Sequence, residues 1–208
     1  MNQTIKLIEC PRDAMQGIKA FIPTVEKSAY INSLLKVGFD TLDFGSFVSP
    51  HAIPQMADTA LLLPKLELEN SKTKLLAIIA NTRGAREASM FEQISFLGFP
   101  FSISETFQQR NTHASIEESL GRVGELAEVC RRAHKELVVY ISMGFGNPYG
   151  DAWSPEIVID WTKKLAGMGA SIIALADTVG VSTPENIRLL FSSLIPEVRE
   201  VEFGAHLH

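Results

Sequence analysis

Arg12 and Asp13 stand side by side just after an apolar run, in IKLIECPRDAMQG (residues 5–17). A cation beside a carboxylate at such a point is either a surface ion pair in a turn or the floor of an active site. A second candidate set is AHLH (205–208), where His206 and His208 are spaced i, i+2. On a strand that spacing turns both imidazoles to one face. With the Asp13 carboxylate nearby they make a usable divalent-metal set, whereas a strand edge or a frayed terminus explains H-x-H by itself. Asp43 lies among apolar residues in TLDFGSF and needs a partner, because an unpaired buried charge is costly. Arg12 is the expected partner, as a structural ion pair, a catalytic one, or both. Asp177, in ALADTVG, reads as a group for chemistry or as a cap at a helix start.

Elements that deliver all of these to one rim are expected from the patterning. Apolar runs recur at 5–9, 39–45, 73–80, 99–104, 136–144, 170–177 and 200–206, which makes seven strands. Helical stretches separate most of them. In TVEKSAYINSLLKVG, Val25, Tyr30, Leu34, Leu35 and Val37 fall on or near one face. Ser115 and Glu118 form a capping box, Ser154 and Pro155 open another helix, and Thr183 and Pro184 repeat that design. A Gly cap followed by a strand recurs in VGFDTLDF, LGFPFSIS and MGASIIAL. Strand–helix alternation with strands apolar throughout predicts a parallel sheet covered on both faces. The first turn, CPRDAMQG, lacks the G-x-G-x-x-G of a dinucleotide-binding sheet. The expected architecture is therefore a TIM (β/α)8 barrel, incomplete at about seven strands. Residues 1–208 are expected to form a single barrel domain without its last βα unit. In a barrel the site forms at the C-terminal ends of the strands, where Arg12-Asp13, Asp43 and Ser46, Ser142, Asp177-Thr178 and the histidine pair all fall.

Composition excludes several classes. With 208 residues, 46% of them hydrophobic, and a net charge of −5 without a basic block, the chain has no footprint for nucleic acid. No apolar run reaches the ~20 residues that span a bilayer, and MNQTIKLIEC has no secretory pattern. Cys10 and Cys130 are distant in sequence and read as reduced thiols, so a cytoplasmic location is expected. Cys130 is expected in the core. Cys10 has no His–Asp relay and is not taken as a nucleophile. His51, His113 and His134 read as bystanders on loop or helix surfaces.

The chain resembles the hydroxymethylglutaryl-CoA lyases of the DRE-TIM metallolyase superfamily. The matching stretches are PRDAMQ (11–16), FGSFVSPHAIPQMAD (44–58), ETFQQRNTHASIEES (105–119), NPYGD (147–151), ADTVGVSTP (176–184) and AHLH. They follow the family's order and cover nearly the whole chain. The resemblance implies a barrel that binds Mg²⁺ or Mn²⁺ and cleaves 3-hydroxy-3-methylglutaryl-CoA to acetyl-CoA and acetoacetate. It implies Asp13, His206 and His208 as metal ligands. Arg12 would stabilise the enolate, Gln16, Ser46 and Thr178 would line the substrate pocket, and Asp177 would support acid–base chemistry. The side chains of Arg12 and Asp13 are expected to diverge, one toward the thioester and one toward the ion.

Asp43 departs from the Glu usual in the family, Cys10 from a Gly, and Ala14-Met15 from Gly-Leu. Asp43 would hold Arg12 or take part in proton transfer. A further Asn ligand and a Cys-bearing Gly-rich loop would follow residue 208, so the 208 residues alone are expected to bind metal weakly. The implied partner is an acyl-CoA substrate, with no nucleic acid and no membrane; a homodimer stands open. Two rival readings remain: a synthase of the same superfamily joining acetyl-CoA to a 2-oxo acid, and a non-catalytic relic barrel.

Overall fold

Residues 5–207 are described by the structure, a computed structural model. Its contacts divide the chain into two compact units, one up to Leu97 and one from Gly98 onward.

In the first unit, strand β1 (Ile8–Glu9) leads directly into helix α1 (Pro11–Gln16). Arg12 and Asp13 therefore lie in the first turn of a helix, not at the end of a strand. Pro11 explains the difference: its fixed φ suits the first helical position, and the missing N–H is not needed there. Helix α2 (Thr24–Leu35), strand β2 (Thr41–Ser46), helix α3 (Thr59–Leu62), strand β3 (Lys74–Ile78) and helix α4 (Thr82–Ser89) follow. Short 3₁₀ turns at Pro54–Met56 and Leu63–Lys65 flank α3. The pairing of β1 with β2 and of β2 with β3 is parallel throughout.

All of β2 is buried, and its register slips by one residue between Asp43 and Gly45. This bulge re-aims the strand just past Asp43. Gly45 is required at the slip, since a Cβ there would lie 2.5 Å from Thr59 Cγ2. Helix α2 does not bury the face its apolar residues suggest. Val25 is 68% exposed and Tyr30 and Val37 are also exposed, whereas Lys27, Ser28, Ile31 and Leu35 are buried. A fully buried lysine sets this rotation, for reasons given below.

Strand β4 (Ile94–Ser102) runs through the boundary between the units. It starts five residues before the expected strand, and Gly98 lies inside it instead of capping a helix. Gly38 and Gly169 do adopt the positive φ expected of helix stops.

In the second unit come helix α5 (Glu105–Thr112), helix α6 (Ile116–Arg132), strand β5 (Glu136–Ser142), helix α7 (Pro155–Gly167), strand β6 (Ile172–Asp177), helix α8 (Pro184–Glu197) and strand β7 (Glu202–Leu207). The expected caps are present: a complete capping box at Ser115/Glu118, and Ser154 and Thr183 each accepting a backbone N–H ahead of a proline start. Strands β5, β6 and β7 pair in parallel. Val139, Ile141, Ile173 and Leu175 form one fully buried face. The other face carries Tyr140, Ala174, Ala176, Gly204 and His206 by alternation. Among the described residues no helix is long and apolar enough to cross a membrane.

Candidate active site

Four of the expected site residues meet in the first unit. The Arg12 guanidinium donates to Asp43 through Nε, at 3.2 and 3.1 Å from the two carboxylate oxygens, and through Nη2 at 2.5 Å from Oδ2. Its Nη1 reaches Asp13 Oδ1 at 3.0 Å and Gln16 Oε1 at 2.8 Å. Gln16 Nε2 closes the ring by donating to Asp13 Oδ1 at 2.8 Å. Asp43 is 1% exposed, so this two-point pair is buried. The short helix explains the convergence: positions 12, 13 and 16 share a face at i, i+3 and i, i+4 spacing. The expectation that the Arg12 and Asp13 side chains diverge is thus corrected; they touch, and Gln16 bridges them.

Ser46 ends β2 with its hydroxyl turned back on the chain. Its Oγ accepts the Val48 N–H at 3.1 Å, and its own N–H donates to Thr59 Oγ1 at 3.1 Å. Beside the cluster, burial first and then the Asp43 carboxylate push the Cys10 thiol up to about 12. A thiol held neutral is a poor nucleophile, as its lack of a relay suggested. Cys130 is buried, as expected.

The second unit holds Asp177, Thr178 and His206. Asp177, 2% exposed, accepts the Val181 N–H at 2.8 Å and the Ser182 N–H at 3.0 Å. Burial by itself would raise its carboxyl. The bonds from Ser182, side chain and backbone, and from the Val181 and Gly180 backbones outweigh burial and hold it below its ordinary value. Asp177 thus fixes the turn that leads to α8.

A carboxyl lowered on folding contributes stability above its ordinary pKa and loses it as pH falls through the lowered value. Asp177→Asn is expected to lower the melting midpoint by a few degrees at neutral pH, with the gap closing under acid. Paired thermal melts across that range check it, and a gap that persists in acid contradicts the assignment.

Thr178 Oγ1 accepts the Met143 N–H at 2.9 Å and so holds Met143 at a φ of 60°. His206 lies in β7, half-buried, with its ring edge-on to Tyr140 at 5.6 Å between centroids. His208 lies outside the described residues. The other histidines, 51, 113 and 134, are exposed.

Two contributors escaped the sequence reading. Tyr140 looked like strand core; its one signal was its even-numbered place in β5, on the same face as His206. Asp151 was visible only as the last residue of the NPYGD stretch. Its carboxylate accepts from Ser104 Oγ at 2.5 Å, Thr106 N at 3.0 Å and Thr106 Oγ1 at 2.9 Å, and the Ser104 hydroxyl first among these holds its carboxyl below the ordinary value. That clamps the loop after β5 onto the start of α5.

The described members of the expected metal set are a carboxylate oriented by Gln16 and Arg12 and an imidazole on a strand. These donor types fit a divalent cation. Among the described residues no three His, Cys, Asp or Glu side chains are grouped to enclose an ion, and the third expected ligand, His208, is not one of them.

A family model described as HMGL-like matches residues 5–208. The chain belongs to the HMGL-like family. The cytoplasmic 3-hydroxy-3-methylglutaryl-CoA lyase of Mus musculus is 32% identical over 211 residues, a match that covers 100% of this chain and 60% of that protein. The mitochondrial hydroxymethylglutaryl-CoA lyase of Bos taurus is 34% identical over 207 residues, covering 98% of this chain and 62% of the relative. The chain thus spans about 60% of the length of the lyases it matches. Among solved structures, the hydroxymethylglutaryl-CoA lyase of Pseudomonas aeruginosa superimposes with a TM-score of 0.89 at 31% identity, covering 98% of this chain and 68% of that one. With this HMGL-like match the fold is that of the TIM (β/α)8 barrel, present here as seven strands with their helices.

Proposed function

We propose that the protein carrying this chain is a divalent-metal-dependent carbon–carbon lyase that cleaves 3-hydroxy-3-methylglutaryl-CoA to acetyl-CoA and acetoacetate. The observation that carries the reading is the Arg12 cluster: in an HMGL-like chain, a guanidinium locked by a buried carboxylate is hydrogen-bonded to a half-exposed second carboxylate. A relative described in complex with coenzyme A and 3-methylmalate, 25% identical at a TM-score of 0.89, supports an acyl-CoA as the substrate class.

Cleavage of a tertiary alcohol removes the hydroxyl proton, breaks the adjacent C–C bond as the ketone forms, and leaves a thioester enolate that takes a proton at carbon. Arg12 sets a fixed cation where the enolate oxygen gathers charge. Asp43 serves it by position, since its carboxylate is taken up by the guanidinium. Asp13, His206 and His208 would hold Mg²⁺ or Mn²⁺, which when bound acidifies and orients a coordinated hydroxyl. Gln16 aims Asp13. Ser46 and Thr178 line the substrate pocket, and Asp177 supports the acid–base groups by fixing the turn beneath them. Residues 1–208 belong to one barrel domain in this reading, acting in the cytoplasm, with the homodimer still open.

The test is an assay of the full-length protein for acetoacetate and acetyl-CoA from the hydroxymethylglutaryl thioester, with and without Mg²⁺ or Mn²⁺. Metal-dependent formation of both products supports the reading. Release of free CoA only with a 2-oxo acid and acetyl-CoA would assign a synthase instead, and inactivity on all of these substrates would favour a relic barrel.

A further inference from the structure

Lys27 is 0% exposed and ranks among the largest fully buried side chains of the described residues. Its ammonium donates to Asp58 Oδ1 at 2.6 Å and to the Gln55 carbonyl, and lies 4.2 Å from the centre of the Phe21 ring. Asp58 Oδ2 accepts from Thr24 Oγ1 at 2.6 Å. Gln55, also buried, spends its whole side-chain amide on the segment that follows α1. Its Nε2 donates to the carbonyls of Ile18 (3.0 Å) and Ala20 (2.9 Å), and its Oε1 accepts the Ile22 N–H at 2.9 Å. Ile18 in turn donates its N–H to Met15 O at 3.0 Å, so the held segment starts two residues past Gln16.

A buried ion pair is a weak source of stability, and apolar replacement of both partners is often neutral or better. What such a pair supplies is geometry: it has one arrangement in which both charges are satisfied. Here that arrangement ties α2 to the turn before α3 and, through Gln55, to the loop leaving α1.

We propose that the Lys27–Asp58 pair, with Gln55, is a positioning device for α1. It fixes the 17–22 loop so that Gln16 holds Arg12 and Asp13 in their working geometry. None of the three touches the reacting atoms in this account. The proposal rests on the lyase reading only for its effect on turnover; its effect on the loop stands independently.

The experiment compares the full-length protein with Lys27→Met/Asp58→Asn, which removes both charges and keeps a hydrogen-bond acceptor for Thr24. Amide hydrogen exchange at residues 17–22 is expected to speed up by about tenfold or more while the melting midpoint stays near that of the parent. On the hydroxymethylglutaryl thioester, kcat is expected to fall by about 10- to 100-fold with KM within about twofold, the pattern of misplaced groups and not of lost substrate contacts. Unchanged exchange at 17–22 overturns the proposal. So does faster exchange with an unchanged kcat. If the parent shows no lyase turnover, the lyase reading fails separately and the exchange result decides the clamp alone. Should the double variant fold poorly, Gln55→Leu removes the side-chain tether while leaving the ion pair, and the same exchange and kinetic outcomes decide.

Discussion

Arg12→Met is expected to lower kcat by about 10²- to 10³-fold, with KM for the acyl-CoA changed only a few-fold, because its charge is assigned to a state that exists only as the C–C bond breaks. The same change also strips Asp43 of its two-point partner. A carboxylate 1% exposed and left without its cation costs about 3–5 kcal/mol. Lost activity alone would therefore not separate a catalytic role from a structural one. Arg12→Met/Asp43→Leu separates them: removing both charges is expected to restore most of the melting temperature and none of the turnover. Arg12→Lys should be intermediate in stability and poor in turnover, since an ammonium cannot span Asp43, Asp13 and Gln16 as a planar fork does. Thermal melts beside steady-state kinetics on the four proteins decide the point. A double variant that regains turnover would remove Arg12 from the chemistry.

What the sequence made legible was local in origin. The capping box at Ser115, the proline starts and the Gly stops at 38 and 169 are written within a few residues, and the folded chain uses them as read. The Arg12–Asp43 pair was legible too, since a charge inside the apolar TLDFGSF run demands a partner and one stood just past the neighbouring strand. Lys27 shows the limit. By type it belongs to water, so the apolar residues of α2 were assigned to the inner face instead. Its partner Asp58 is 31 residues away and contributes nothing to the periodicity of α2. Once that pair is inside, α2 must turn Val25 and Tyr30 outward. Asp151 was hidden for a related reason: a carboxylate at a loop end gives no sign that Ser104 and Thr106 await it across another connection. The helix at 11–16 is a milder case, where the functional residues overshadowed the proline that starts it.

Asp13→Ala is expected to weaken Mn²⁺ binding by the full-length protein by about 100-fold or more, while Gln16→Ala weakens it by about 10- to 100-fold. The ranking follows from position: Asp13 is assigned to the ion, and Gln16 aims it through the 2.8 Å bond to Oδ1, as an outer partner does. Arg12→Met is the informative contrast. Arg12 also touches Asp13 Oδ1, at 3.0 Å, but as a cation it competes with a bound divalent ion for that carboxylate. Its removal should leave Mn²⁺ affinity equal or higher while turnover collapses. Titration with Mn²⁺, following free ion by its spectroscopic signal, reads binding without needing turnover. Two side chains in contact on one helical turn would then fail in opposite ways, one losing the ion and the other the rate. Loss of Mn²⁺ binding in Arg12→Met to the degree seen in Asp13→Ala would show instead that the cluster acts as one structural unit, and the division of labour assigned to residues 12 and 13 would be wrong.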